Sequence, residues 1–169
     1  MTDINPRATE AGHAADREIV GLVELIFFAY RDFTSDPDAI LGTFGFGRAH
    51  HRVIHFVGRH PGMRVAELLE ILRITKQSLA RVLKELVERG FIVQRTGEAE
   101  RRQRLLFVTR QGAELHRRLM APQTERIRRA LAEGGDNVRE VLFRLIDAND
   151  RSHVTSLLQA AAARKTRGL

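Results

Sequence analysis

Four histidines that could bind a metal ion stand close together, at His50, His51, His55 and His60. His51 and His55 are four residues apart, the spacing at which two imidazoles of a metalloprotease helix hold zinc. That chemistry also needs a glutamate directly after the first histidine as general base, and Arg52 occupies this position. A metal-dependent hydrolase is therefore disfavoured. The favoured interpretation is polar residues that line a cleft, and a metal-responsive site that uses His50, His51 and His55 is the alternative.

A second group of chemically active side chains is cationic and lies between Arg73 and Arg110. This stretch holds ten lysines and arginines and four acids, which accounts for +6 of the chain's net charge of +7. A basic patch concentrated on one segment is the electrostatic footprint of a partner with a phosphate backbone.

Composition excludes several other classes of function. The 169 residues include no cysteine, which rules out thiolate catalysis, disulfides, cysteine zinc sites and thiol redox sensing. No nucleophile elbow, phosphate-binding glycine loop or carboxylate pair is present, so we predict neither an enzyme nor a cofactor. No apolar run reaches the ~18 residues of a membrane span. The N-terminus shows no signal-peptide pattern, so a cytoplasmic location is expected.

The cationic stretch must be positioned by regular elements, and its pattern predicts them. Thr75 is a good N-cap for a helix that runs to Arg89, and Gly90 marks its end. Leucines and valines at helical spacing predict one buried face of this helix: Leu79, Val82, Leu83 and Leu86. Two strand-like runs follow, 91–93 and 105–108, with an arginine-rich loop between them. Helix, strand, basic loop and strand is the outline of a winged helix that binds DNA.

The flanking segments predict the rest of the architecture. We divide the chain into a flexible N-terminal arm (1–15), an N-terminal helix with a connector (16–47), a winged helix-turn-helix DNA-binding domain (48–109) and C-terminal helices (110–169). The first helix is placed at 16–32 and the connector at 34–47, and the last helix begins at residue 136 or 137. Both end segments carry more apolar surface than a small winged helix can cover. They either pack on each other or, as we favour, intertwine with a second copy in a two-fold dimer.

These residues resemble the MarR family of bacterial transcription regulators. The wing motif aligns at Arg101 and Arg102, an alternating apolar strand follows, and Thr109 and Gly112 match the start of the next helix. The resemblance implies a mainly α fold with a small β-hairpin wing, in which N- and C-terminal dimerisation helices flank the winged helix-turn-helix. It also implies a homodimer that binds a pseudo-palindromic operator in double-stranded DNA, with repression relieved by a small ligand in many members. Glu100 departs from the aspartate usual in the family.

The helix that begins after Thr75 is predicted to enter the major groove, whose edges carry an unambiguous donor and acceptor code. Gln77 and Ser78 are the candidates for base-edge contacts, and Arg81 is expected to reach a guanine edge or a phosphate. The remaining helix residues predicted to position the protein on DNA are Thr75, Lys76 and Lys84.

The predicted wing contributes Arg101, Arg102 and Arg104. One of them is expected in the minor groove, where narrow A·T segments concentrate negative potential. Alternation along a strand places Arg102 and Arg104 on one face and Arg101 on the other. At least one should therefore pair within the protein, with Glu100 or the recognition helix, and the pattern leaves open which.

A small-ligand site of unknown specificity is implied near Phe44, Phe46, Arg48, His51 and His55, although the same residues would serve for packing alone. A winged-helix module that binds protein or RNA is a further alternative. The exposed set Gln77, Ser78 and Arg81 favours DNA over that alternative.

Overall fold

The computed structural model describes residues 6–96, 103–135 and 137–167, and for 6–15, 17 and 165–167 it describes the backbone alone. Helices dominate this part of the chain, and three short strands form one antiparallel sheet, which confirms the predicted fold class. In chain order the elements are α1 (Pro6–Gly42), α2 (Arg48–Arg59), β1 (Met63–Arg64), α3 (Val65–Leu72), α4 (Lys76–Glu88), β2 (Ile92–Thr96), β3 (Arg104–Val108), α5 (Arg110–Glu133), α6 (Val138–Arg144) and α7 (Arg151–Arg167).

The chain forms two compact units, Met1–Asp36 and Pro37–Leu169. The first unit contains most of α1, and the second contains the end of α1 and every later element. The predicted domain boundaries remain predictions.

Helix α1 is longer than the sequence pattern predicts at both ends. It begins at Pro6 instead of Asp16, so the helix enters the predicted arm, whose residues 1–5 lie outside the described residues. Proline is well tolerated in the first turn of a helix, because its missing N–H has no partner there in any case. The helix also continues through Pro37 to Gly42, where a connector was predicted. Leu41 is fully buried, and this burial outweighs the local cost of an interior proline.

The predicted last helix is two helices, α6 and α7, which makes the single-helix prediction wrong. Asp147 accounts for the interruption. Its side-chain Oδ1 accepts the backbone N–H of Asn149 at 2.9 Å, and its backbone carbonyl accepts the N–H of Asp150 at 2.9 Å. Aspartate offers the backbone a local hydrogen-bond partner that competes with helical pairing.

The sheet has the strand order β1-β3-β2, so β3 is central. Strands β2 and β3 pair from Ile92 opposite Val108 to Thr96 opposite Arg104, and this hairpin confirms the predicted strands. Strand β1 pairs Met63 with Leu106 and was not predicted, because two residues give no detectable alternation. Arg104 was assigned to the loop and is instead the first residue of β3.

The core of the second unit lies between α2, α4, the sheet and the start of α5. Every member of the predicted α4 stripe is buried, as periodicity required. The largest fully buried side chains include Leu41, Ile54, Leu68, Leu79, Leu86, Phe91, Ile92, Leu106, Leu115 and Leu119.

A tight junction joins the end of α4 to the start of α5. Gly90 has φ +76°, a conformation that favours glycine, and it turns the chain after α4. The Thr109 hydroxyl donates to the Gly90 carbonyl at 2.6 Å and accepts the Gly112 N–H at 3.1 Å, so it is the predicted N-cap of α5. The Phe91 carbonyl accepts the Thr109 N–H at 3.0 Å. Gly112 is buried against this carbonyl.

Candidate nucleic-acid interface

Helix α4 presents its predicted DNA-facing residues to solvent. Lys76, Gln77, Arg81 and Lys84 are exposed, while the opposite face lies in the core. The 3.6-residue period that buries four apolar side chains therefore leaves a polar, cationic surface about 20 Å long, at 1.5 Å per residue for the 13 residues of α4. An α-helix with its side chains is about 10–12 Å across, so it fits a major groove about 12 Å wide.

The N-terminus of α4 is fixed by Thr75, which confirms the predicted cap. The Thr75 hydroxyl accepts the Ser78 backbone N–H at 3.1 Å and donates to the Ser78 hydroxyl at 2.9 Å. Ser78 is thus half-buried and oriented by the cap. Because the Ser78 hydroxyl oxygen receives that bond, its own hydrogen remains able to donate outward.

The turn between α3 and α4 has a feature that the sequence pattern did not reveal. Arg73 has φ +48° and ψ +43°, the left-handed conformation that costs a non-glycine residue about 1–2 kcal/mol. Its guanidinium is 2.5 Å from a carboxylate oxygen of Asp150, which lies in the turn between α6 and α7. The contact ties the turn between α6 and α7 to Arg73, which precedes Ile74 and Thr75 at the start of α4.

The wing residues that the structure describes are anchored on the hairpin itself. Arg104 donates to the Gln94 side-chain oxygen at 3.1 Å, and the Arg95 guanidinium lies 5.0 Å from the centre of the Phe107 ring. The predicted site residues Arg101 and Arg102 lie outside the described residues. Arg95 was not predicted as a candidate, although the structure places it in β2 and its exposure and charge give it the same potential as Arg104.

The charges on the exposed face of α4 are little neutralised. Lys84 is 3.8 Å from Glu88, a solvent-exposed pair worth about 0–1 kcal/mol. Within the described ranges, neither Lys76 nor Arg81 has an ion-pair partner. The face therefore has a positive potential that would attract a phosphate backbone.

The histidines contact different partners and do not form one site in the part of the chain that the structure describes. The Nε2 atom of His50 is 2.8 Å from Glu85, whereas Nδ1 of His55 is 3.3 Å from Nε2 of His116. Among residues with described side chains, no group of three or more His, Cys, Asp or Glu is arranged to hold a metal ion.

The His55–His116 contact creates a pair of imidazoles that resist protonation. Burial is the largest cause that lowers the pKa of His55 to about 4, and the positive charges of His116, His51, Arg59 and His60 contribute to the same shift. Burial, with the charge of Arg59, also lowers the pKa of His116. The fold therefore favours neutral imidazoles. Below the pKa of histidine in the unfolded chain, near 6.5, the folded state binds fewer protons than the unfolded chain.

Stability should therefore fall as the pH drops from about 6.5 towards 4, because the unfolded chain gains protons that the fold excludes. We expect the midpoint of urea denaturation to be lower at pH 5 than at pH 7. His55→Leu removes the titrating group and should reduce this difference, whereas His153→Gln changes an exposed histidine and should leave it intact. Equal pH dependence in the two variants would contradict the assignment.

The predicted ligand region is largely filled by the protein's own side chains. Phe46 is buried, Phe44 packs edge-on against Phe91, and Arg48 pairs with Asp38 at 2.8 Å. A cavity of about 460 Å³ lies instead between α2, α3 and α7. Its lining includes His55 of the predicted set, together with Arg59, His60, Ile71, Asp150 and Leu157.

Among the described residues, every helix is too short or too polar to cross a lipid bilayer.

Comparison with known proteins gives consistent matches along most of the chain. The family model described as MarR family matches residues 44–103. The HTH-type transcriptional regulator PetP of Rhodobacter capsulatus is 42% identical over 149 residues, which cover 86% of this chain and 90% of that protein.

Solved structures share the fold at lower identity. A putative MarR family transcriptional regulator from Listeria monocytogenes, complexed with 26mer DNA, matches with a TM-score of 0.61 and 17% identity, over 85% of this chain and 93% of that one. A mutant of MepR from S. aureus bound to an oligodeoxyribonucleotide matches with a TM-score of 0.53 and 12% identity, over 82% of this chain and 96% of that one.

Proposed function

Because the chain belongs to the MarR family and is a transcription regulator rather than an enzyme, we propose that it binds a pseudo-palindromic DNA operator as a homodimer. We further propose that it represses transcription and that a small ligand relieves the repression.

The observation that carries the proposal is the exposed, cationic face of α4. Its N-terminal half displays Gln77 and Arg81, which can donate to base edges in the major groove. Lys76 and Lys84 flank them with positive charge. The DNA complexes of the two structural relatives support the assignment of this fold to DNA binding.

A homodimer is supported by the apolar surface at both ends of the chain. In α1 the large hydrophobic side chains from Ile19 to Tyr30 are exposed. A second exposed set lies on α5 to α7: Ile127, Leu131, Val138, Val141, Leu142, Leu145 and Leu158. Exposed apolar area of this extent marks an interaction surface, and a two-fold copy of the same chain supplies an equally apolar partner.

The direct test is selection of duplexes from a random pool by the purified protein. The proposal expects enrichment of a site with two inverted half-sites about one helical turn apart, bound by two protomers. Recovery of unrelated sequences, or no retention even in low salt, would reject it. A reporter fused to the selected site in a strain with and without the protein then separates repression from activation.

We expect base reading and backbone positioning to separate in a pair of variants. Gln77→Ala should lower affinity for the selected site while leaving affinity for random duplex almost unchanged, since it removes a contact to a base edge. Arg102→Ala should weaken binding to both duplexes. It should also flatten the log-log salt dependence by about 0.9 per phosphate contact, or about 1.8 for a dimer.

The measurements are titrations of both duplexes over a range of salt concentrations. If both variants lose affinity uniformly over all sequences, the division between reading and positioning is wrong. An unchanged salt slope for Arg102→Ala rejects its assignment to a phosphate.

A further inference from the structure

The segment that links α1 to α2 is held against the recognition helix α4 by charged and aromatic contacts. Five residues make these contacts and are called the connector clamp: Phe44, Phe46, His50, Glu85 and Arg89. Phe44 and Phe46 lie in the link, His50 lies in α2, Glu85 lies in the last turn of α4, and Arg89 is the C-cap residue of α4. Every member lies in the second unit, so the clamp is internal to it.

His50 bridges the link and α4 through both ring nitrogens. The backbone N–H of Gly47 donates to Nδ1 at 3.1 Å, so Nδ1 must be unprotonated. The proton of a neutral ring then lies on Nε2, which is 2.8 Å from a carboxylate oxygen of Glu85 and donates to it. The His50 side chain is 12% exposed, so little water competes with this hydrogen bond.

Arg89 makes the second attachment. Its guanidinium donates to the Phe44 carbonyl at 2.6 Å and lies 4.3 Å from the centre of the Phe46 ring. The imidazole of His50 stacks on the same ring with centroids 4.5 Å apart and planes inclined by 12°. The Phe46 ring therefore contacts both His50 and Arg89.

Glu85 and the C-cap residue Arg89 act from one side of the helix. Glu85 and Arg89 are four residues apart, so they lie one turn apart on the same face. They hold the C-terminal half of α4, whereas the proposed base-reading residues Gln77 and Arg81 lie in its N-terminal half. The clamp therefore contacts α4 at the end opposite to the one proposed to read bases.

The length of α4 makes small changes of angle important. A helix of about 20 Å that turns by about 10° about one end moves its other end by about 3.5 Å. This displacement is close to the rise of about 3.4 Å between successive base pairs. A tilt of this size about the clamp end would thus shift the reading end by a whole base-pair step.

We propose that the connector clamp sets the angle of α4 and makes His50, Glu85 and Arg89 positioning residues that define the half-site separation accepted by the dimer. The inference rests on the proposed function, because a half-site separation exists only for a dimer on a two-part operator.

The test uses the duplex selected by the full-length protein, together with two duplexes in which one base pair is inserted or removed between the half-sites. The measured quantity is discrimination, the ratio of affinity for the selected spacing to affinity for the altered ones. We expect at least tenfold discrimination for the parent and about twofold or less for Glu85→Ala.

Matched variants separate positioning from general stability. Glu85→Gln keeps an oxygen that accepts from His50 and should retain the parent's discrimination. Glu88→Ala removes a carboxylate from the same helix that is 62% exposed and lies outside the clamp, and it should also leave discrimination unchanged. Arg89→Lys keeps the charge but lacks the planar group that stacks on Phe46. It should lose discrimination while the salt slope of binding stays that of the parent.

Each outcome decides between the hypotheses. If both Glu85→Ala and Arg89→Lys discriminate between spacings as the parent does, the clamp proposal is overturned and the proposed function stays intact. The same holds if Glu88→Ala loses as much discrimination as the clamp variants do. If a thermal melt shows that Glu85→Ala is not folded, the discrimination measured for Arg89→Lys alone tests the clamp proposal. A parent protein that binds no two-part site overturns the proposed function, and the positioning role falls with it.

Discussion

Replacing Gly112 by alanine should unfold the second unit or bring it close to unfolding. A Cβ atom at this position would lie 2.0 Å from the Phe91 carbonyl oxygen and 3.0 Å from its carbon. The obstacle is backbone, and it cannot move freely because the same carbonyl accepts the Thr109 N–H. We expect a loss of about 3 kcal/mol or more, the upper range for overpacking, from a domain stability of about 5–15 kcal/mol.

The experiment is a thermal or urea melt of Gly112→Ala beside Gly42→Ala. A Cβ at Gly42 would meet nothing within 4 Å, so this control should change stability by no more than about 1 kcal/mol. DNA binding should be lost in Gly112→Ala and retained in Gly42→Ala. Equal melting temperatures for the two variants would show that the junction between Phe91 and α5 can relax.

The second large effect concerns assembly. Phe27→Asp should convert the proposed dimer to a monomer and lower operator affinity by about 100-fold or more, since two linked half-sites gain affinity of that order from effective concentration. Phe27 is 67% exposed in the single chain, in the middle of the apolar surface of α1. A carboxylate there would lose its water on association, and two-fold symmetry would impose this cost twice.

Light scattering coupled to size exclusion, together with operator titration, measures both consequences. Glu18→Gln is the matched control, because it changes charge by one unit at a position that is already polar on the same helix. It should remain dimeric and bind normally. A dimeric Phe27→Asp protein would place the interface elsewhere, whereas a monomer with full operator affinity would show that assembly is not needed for binding.

Patterns within short stretches of the sequence predicted the helix starts and the buried face of α4. The period of apolar residues gave the buried face of α4, and the side-chain chemistry of Thr75 and Thr109 gave both helix starts. These features depend on residues three or four positions apart, so one sequence suffices to detect them. The confirmed winged-helix outline follows from their order along the chain.

Features that depend on distant residues escaped the sequence analysis. The link between His50 and Glu85 joins residues 35 positions apart, and that between Arg73 and Asp150 joins residues 77 apart. The continuation of α1 past Pro37 depends on burial of Leu41, which no local propensity reveals. Tertiary contacts override local preference at such positions.

The strand order β1-β3-β2 has a consequence for binding energetics. Strand β3, which carries the wing, is hydrogen-bonded to β1, and β1 leads directly into α3, the first helix of the helix-turn-helix. A force on β3 would therefore be transmitted through β1 to α3, the helix that precedes α4. We expect that the losses of DNA-binding free energy caused by separate substitutions in the wing and in α4 are not additive. An operator mismatch under one element would then change the apparent selectivity of the other.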